Sequence, residues 1–290
     1  DPSIGRTLAA HNMLFSSAYS INWGRLVPQI VYYISAYGDL LAGGKIQAGD
    51  PINVVVPTGN FGNILAAYYA GKMGLPIRRL ICASNRNRVL TDFIQTGVYD
   101  RNRSFYTTSS PSMDILISSN LERLLYDLSG GDAGEIRGMM ASLAKDGRYE
   151  VTAAMREAIQ DKFAAGWCDD QQTAQAIRDT FNQHGYLLDT HTAVAMHVYR
   201  EYRRETGDDT PAVIASTANP YKFAASVLEA LGCSDDKDDE FARLQELEGK
   251  TGASIPAPLA ALQGKSPRFT SVCDRGNMKD VVFSMLQIAE

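Results

Sequence analysis

An apolar β-branched run, Val54-Val55-Val56, ends in Pro57-Thr58-Gly59-Asn60-Phe61-Gly62-Asn63, and an apolar, alanine-rich helical pattern opens at Ile64. Strand, glycine loop and helix start together belong to layered α/β folds, and no other stretch of the chain restricts its fold as strongly. The same architecture builds an anion site. Loop N–H groups converge, the helix dipole adds partial positive charge, and glycine removes the Cβ that would keep an anion away. Asn60 and Asn63 add side-chain amide donors and tolerate left-handed backbone angles. Gly62 is expected to be a position where an added Cβ either clashes or forces a disallowed angle. No Walker lysine follows the second glycine and no G-x-G-x-x-G is present, which takes support from ATP and dinucleotide readings. The bare G-x-x-G spacing also suits an ordinary strand-to-helix turn, so by itself it leaves both readings open.

The alternation continues beyond this loop. Strand 52–56, helix 64–73, strand 79–83 and helix 88–96 predict a doubly wound α/β core. Residues 212–215 supply a further buried strand of one mostly parallel sheet flanked by helices. Upstream, residues 21–38 read as a helix kinked at Pro28, with Leu26, Ile30, Tyr33 and Ile34 on one face, followed by a Gly-rich connector over 39–51. Residues 110–190 read as a mainly helical insertion, with helices at Leu121–Leu128, Glu135–Leu143, Ala153–Phe163 and Asp170–Asn182. Asp169 or Asp170 suits the N-cap of the last of these and Gly185 its end. Helices 191–205 and 221–231 follow. The acidic stretch 234–250 reads as a solvated helix, and 234–290 as a helical C-terminal extension with an amphipathic segment at 276–289.

Composition narrows the function classes. The 290 residues carry a net charge of −5, and the arginines are scattered, so no electrostatic footprint for nucleic acid is present. No apolar run approaches membrane-spanning length. Cys82, Cys168, Cys233 and Cys273 lie far apart, and the four histidines show no metal-ligand spacing, so neither a disulfide framework nor a metal site is expected. A reducing, cytoplasmic setting fits these features.

Several polar residues sit where chemistry could use them. Ser20 suits the N-cap of the first helix, and Arg25 then falls near its first turn, where a cation opposes the dipole unless an anion is bound there. The Arg fork suits phosphate bidentately. Ser216 and Thr217 follow the strand at 212–215, at the end where open parallel sheets bind ligands, although either could simply cap the next helix. Asp114 in Ser112-Met113-Asp114 reads as a helix-start residue, and His191 as a structural hydrogen-bonder.

Taken jointly, Ser-x-Asn-x-x-Arg at 20–25, Pro57–Asn63, Ser112-Met113-Asp114-Ile115, His191-Thr192-Ala193-Val194-Ala195 and Ser216–Phe223 resemble the threonine synthase family, in the longer microbial form and over nearly all the chain. The resemblance implies a fold-type-II pyridoxal-5′-phosphate (PLP) enzyme that converts O-phospho-L-homoserine and water into L-threonine and phosphate. It implies that Gly59, Asn60, Phe61, Gly62 and Asn63 cradle the cofactor phosphate and that Thr217 meets the pyridine nitrogen. Ser20, Arg25 and Asn60 would hold the substrate phosphate.

Two departures from the family pattern stand out. Tyr19 occupies a position that is usually Asn, which bears on substrate choice. The family's Schiff-base lysine lies in an N-terminal Phe-Lys-Asp segment that is not found here, and Lys222, the lysine closest to a site motif, lies elsewhere. The resemblance therefore implies a C-terminal part of the enzyme, with most of the large domain over 1–290 and no catalytic lysine. Another PLP-dependent phospho-lyase of the same fold and a non-catalytic phosphate- or cofactor-binding module are the alternatives. Dehydratases fit less well, since their substrates carry no phosphate for Ser20 and Arg25. The 290-residue chain alone is expected to release no phosphate from O-phospho-L-homoserine, even with added PLP, because the reaction needs a covalent imine and a neighbouring amine base. A phosphate-release assay with borohydride reduction and peptide mapping checks this; turnover with stoichiometric labelling at Lys222 would overturn it.

Overall fold

The computed structural model describes residues 2–16, 18–233 and 239–288. In chain order these form α1 (Pro2–Ala10), α2 (Trp23–Ala42), β1 (Ile52–Pro57), α3 (Gly62–Lys72), β2 (Ile77–Ser84), α4 (Val89–Thr96) and β3 (Val98–Asp100). Then come α5 (Leu121–Leu128), α6 (Ala133–Asp146), β4 (Arg148–Glu150), α7 (Ala153–Lys162), β5 (Phe163–Trp167), α8 (Asp170–His184) and α9 (Thr190–Thr206). The order closes with β6 (Ala212–Ile214), α10 (Ala224–Ala230), α11 (Glu240–Thr251), α12 (Ala257–Ala260) and α13 (Met278–Met285). The chain divides into two compact units, residues 20–256 and residues 1–19 with 257–290.

The larger unit is built on a four-stranded parallel sheet in the order β5-β2-β1-β6. Strand β1 is buried along its whole length, as its run of Ile and Val requires of a strand covered on both faces. Val54, Val56, Leu80 and Cys82 pack into the core shared with α2 to α7, while Val55, Ile81 and Ala83 meet Val194, Ala195 and Val198 of α9. Strict alternation along β1 and β2 thus divides the two faces of the sheet. A separate antiparallel pair, β3 with β4, stacks Tyr99 on Tyr149 with centroids 5.2 Å apart. In the smaller unit, Leu8, Phe283 and Ile288 form a local apolar cluster with Ile4 and Met13.

The strand order fixes where a ligand can enter. From β1 the chain crosses to β2 on one side, and β6 lies on the other, so the carboxyl ends of β1 and β6 border a switch point. The loops after those two strands are Thr58–Phe61 and Ala215–Asn219.

Several sequence expectations change in the structure. Helix α2 runs through Pro28 to Ala42, so residues 39–42 belong to the helix and not to a connector. Its buried positions are Leu26, Tyr33 and Tyr37, whereas Ile34 faces solvent. Its N-cap is Asn22, whose side chain accepts the Gly24 N–H at 2.8 Å, and not Ser20. Helix α7 stops at Lys162, and Phe163 opens β5, an edge strand of the main sheet that lies inside the stretch read as a helical insertion. Strand β6 is half-buried and not buried, because it pairs with β1 alone. Helix α11 buries Leu244 and Leu247 and so is solvated on one face only; residues 234–238 of the acidic stretch, and residue 289 of the segment 276–289, lie outside the described residues.

Asp208 ties β6 to its neighbours. Its Oδ2 accepts from Asn53 Nδ2 at 3.0 Å and from the Tyr202 hydroxyl at 2.7 Å, and its Oδ1 accepts the Thr210 N–H at 3.0 Å. Burial alone would raise this carboxyl, but hydrogen bonds from Thr210, Tyr202 and Asn53 outweigh it and hold the group well below the usual carboxylate range. A depressed carboxylate contributes stability that is present above its unfolded value of about 3.9 and is lost as pH falls further. Asp208→Asn should therefore lower the Tm at pH 7, and the gap to the unsubstituted chain should shrink below pH about 4. Thermal melts across pH check this; a gap independent of pH would count against it.

Candidate functional site

The loop after β1 owes its shape to side chains far away in sequence. Ser118 Oγ donates to the Gly59 carbonyl at 2.8 Å, and the Asn60 carbonyl accepts from both Asn120 N–H at 3.1 Å and Asn120 Nδ2 at 2.9 Å. In a trans peptide the C=O and the following N–H point in opposite directions. Holding the two carbonyls from behind therefore turns the N–H groups of Asn60 and Phe61 the other way. Arg123 donates to Asn120 Oδ1, which leaves the Asn120 amide nitrogen to face Asn60 and the Ser20 carbonyl, 3.1 Å away.

Phe61 completes the turn with φ 64°, a left-handed conformation that costs a non-glycine residue about 1–2 kcal/mol. Its ring is buried against Phe163, with centroids 5.9 Å apart, and its carbonyl accepts the first α3 bond from Leu65 N–H. No side chain caps the start of α3. Among the described residues, the N–H groups of Asn60, Phe61, Gly62 and Asn63 find no protein acceptor. Four donors at the positive end of an eleven-residue helix form a place for an oxyanion.

These donors open on a cavity of about 590 Å³. Its wall includes Ser20 just before α2, Arg25 in the first turn of α2, the whole run Gly59–Asn63, and Thr217 from the loop after β6. All the residues singled out for phosphate or cofactor contact, Ser20, Arg25, Gly59, Asn60, Phe61, Gly62, Asn63 and Thr217, therefore lie on one cavity. The Ser20 hydroxyl is 3.3 Å from that of Ser119. Tyr33 donates its hydroxyl to Asn63 Oδ1, which leaves the Asn63 amide nitrogen for other acceptors, and burial raises the Tyr33 pKa far above its ordinary value. Thr217 is exposed and plays no cap role, since Asn219 accepts the Tyr221 N–H at 3.0 Å instead.

The cavity also holds residues that were not assigned to phosphate or cofactor contact. Lys222, within a short 3₁₀ turn at Pro220–Phe223, lies on its wall, as do Ser112 and His191. Asp114 does not start a helix. Its carboxylate accepts from Asn85 Nδ2 at 2.8 Å, Asn87 Nδ2 at 3.0 Å, Thr108 Oγ1 at 2.8 Å and Thr108 N–H at 2.9 Å, which anchors the loop that carries Ser112. Ser118, Asn120 and Asn85 gave no sequence signal, because each acts through tertiary contacts to a distant stretch.

Of the two loop glycines, the one without room for a Cβ is Gly59 and not Gly62. A Cβ at Gly59 would lie 2.6 Å from the Ser112 carbonyl oxygen, whereas one at Gly62 would meet nothing nearer than Asn120 Nδ2 at 3.4 Å, an ordinary contact. Gly62 is also the first residue of α3 and has no positive φ.

The chain is similar to several known proteins. Residues 192–282 match the family model for threonine synthase, C-terminal. The human protein named threonine synthase-like 1 is 45% identical over 254 residues, which are 87% of this chain and 34% of that protein. Threonine synthase of Corynebacterium glutamicum is 39% identical over 237 residues, 78% of this chain and 47% of the enzyme. Among solved structures, PLP-bound threonine synthase from Brucella melitensis superposes with a TM-score of 0.81 at 35% identity, covering 99% of this chain and 54% of that one. The yeast threonine synthase gives 0.80 at 31% identity, covering 96% and 55%. The chain spans between about a third and about half the length of these relatives.

Gly59→Ala should destabilise the chain by about 1–3 kcal/mol, since the backbone at Ser112 must move to admit the methyl group. Gly62→Ala should be close to neutral. Denaturant unfolding of the two variants compares them directly; equal losses would remove Gly59 from its special place.

Proposed function

The chain belongs to the threonine synthase family, and on that premise we propose that it carries the phosphate-holding part of a PLP site that turns O-phospho-L-homoserine and water into L-threonine and phosphate. The observation that carries the reading is the cluster of unpartnered N–H groups at Asn60–Asn63 facing a cavity that also holds Arg25 and Thr217. These residues fit the cofactor. A phosphate monoester needs several converging donors and close approach, and the loop offers donors without a capping side chain in the way.

PLP, when bound, supplies an electron sink for carbanion chemistry at the substrate. The chain's own residues do the holding. In this reading the Gly59–Asn63 loop binds the cofactor phosphate through its N–H groups and the Asn63 amide. Thr217 offers a neutral hydroxyl to the pyridine nitrogen and, unlike a carboxylate, does not hold that nitrogen protonated. Ser20, Arg25 and the Asn60 side chain receive the substrate's phosphate, which becomes the leaving group, and the Arg fork stabilises it bidentately. Two phosphates in one cavity account for having both a helix N-terminus and a guanidinium on the same wall. No residue of this chain is assigned the covalent role.

Arg25→Lys should weaken use of O-phospho-L-homoserine more than retention of PLP. Lys keeps the charge and loses the fork, so the loss should be about 1–3 kcal/mol. Phosphate-release kinetics on the enzyme that contains this chain, with the visible absorbance of bound PLP followed in parallel, provide the check. Lost absorbance with unaltered substrate affinity would move Arg25 from the substrate phosphate to the cofactor or to structure.

A further inference from the structure

His191 lies on the cavity wall and takes no part in the contacts assigned above. It sits in the first turn of α9, only 2% exposed, with the Phe223 ring 4.8 Å from its own. Its Nε2 accepts the backbone N–H of Ser112 at 3.0 Å. A ring nitrogen that accepts a hydrogen bond carries no proton, so in the neutral ring the proton lies on Nδ1. Nδ1 is 3.4 Å from Asp189 Oδ1 and 3.4 Å from Thr190 Oγ1.

Asp189 is itself a fixed partner. It is 1% exposed and caps α9, accepting from His191 N–H at 2.8 Å, from Thr192 N–H at 3.2 Å and from the Thr192 hydroxyl. Burial pushes its carboxyl up, but the side-chain and backbone hydrogen bonds of His191 and Thr192 more than reverse this and keep it below the usual range. A buried carboxylate behind Nδ1 favours the proton on that side of the ring and so leaves Nε2 as the acceptor.

What His191 holds is the turn that touches the anion loop. Ser112 belongs to the 3₁₀ turn Pro111–Met113, and its carbonyl oxygen closes off the space beside Gly59. Asp114 anchors the far side of this turn through Asn85, Asn87 and Thr108. His191 anchors the near side. The α9 N-terminus is thereby linked to the loop after β1, across two segments that share no hydrogen-bonded strand.

We propose that Asp189, His191 and the Ser112 N–H form a relay that presses the Pro111–Met113 turn against Gly59 and so sets the shape of the anion loop, with His191 a positioning residue held in the Nδ1–H tautomer. The relay stands on hydrogen bonds within the chain; that the loop it shapes receives a phosphate rests on the function proposed above.

The test uses the full 290-residue chain with ¹⁵N labelling. The His191 ring should show a protonated Nδ1 and an unprotonated Nε2. The Ser112 amide should exchange slowly although its side chain is exposed. His191→Ala should speed that exchange roughly tenfold, as expected for loss of one hydrogen bond, and shift the amide signals of Gly59, Asn60 and Phe61. His191→Gln, which can place an acceptor near the Nε2 position, should restore both towards the unsubstituted values. A protonated Nε2, or Ser112 exchange and loop signals that His191→Ala leaves unmoved, would overturn the relay. Should the alanine variant fail to fold, the tautomer and the glutamine variant decide the matter. Titration with sodium sulfate separates the two readings. Loop amides that respond to His191 substitution but not to sulfate would leave the relay standing and remove the anion from the loop.

Discussion

Ser118 and Asn120 reach across 59 and 60 residues of chain to hold two carbonyl groups of a four-residue loop. The direction in which the loop's N–H groups point follows from those contacts. A peptide plane has two polar ends, and once one end is tied down the other points where the loop geometry sends it. Without the ties, Gly59 and Asn60 could rotate their carbonyls into the cavity and present the wrong charge. The left-handed turn at Phe61 adds the remaining direction, and burial of its ring against Phe163 offsets the conformational penalty. An edge strand that carries Phe163 is thus connected, through one aromatic contact, to the start of α3.

The parallel sheet then does the placing. With β6 on one side of β1 and β2 on the other, the loops that leave β1 and β6 at their carboxyl ends open towards the same space. Helix α9 lies close under the sheet, close enough that a Cβ at Gly166 of β5 would come within 2.9 Å of Val198 Cγ1. The same helix presents Asp189 and His191 at its first turn. A backbone support and a cavity wall are therefore parts of one rigid element, and their separation is set by core packing.

The parts of this arrangement that a reader of the sequence could find are those written in local chemistry. Strand β1, its loop and α3 are legible because β-branched residues, two glycines and an alanine-rich helix follow one another without interruption. Helices α5, α6 and α8 are legible from apolar periodicity, and the Asp169 capping box of α8 is a local signal as well. Strand β5 is not legible, since Phe163-Ala164-Ala165-Gly166-Trp167 is short, carries three small residues and directly continues a helix. Ser20 suits a helix cap by residue type, yet the side chain that accepts the Gly24 N–H belongs to Asn22, two positions on, and only the turn geometry shows this. The supports at Ser118, Asn120 and Asn85 are invisible for a different reason. Each is an ordinary polar residue whose role exists only after the chain has folded. Gly62 drew attention by its place in the motif, whereas the tight spot at Gly59 is created by Ser112, fifty-three positions away.

Asp114 takes all its hydrogen bonds from neutral donors, and no cation pairs with it among the described residues. Amide and hydroxyl dipoles act at contact range, where mobile ions in solution have little to screen. An exposed guanidinium such as Arg25 behaves in the opposite way, because its attraction for an anion weakens as salt accumulates around both charges. One side of the cavity is accordingly indifferent to ionic strength and the other responds to it. Added salt would weaken the pull of that guanidinium, while the frame behind the loop stays in place.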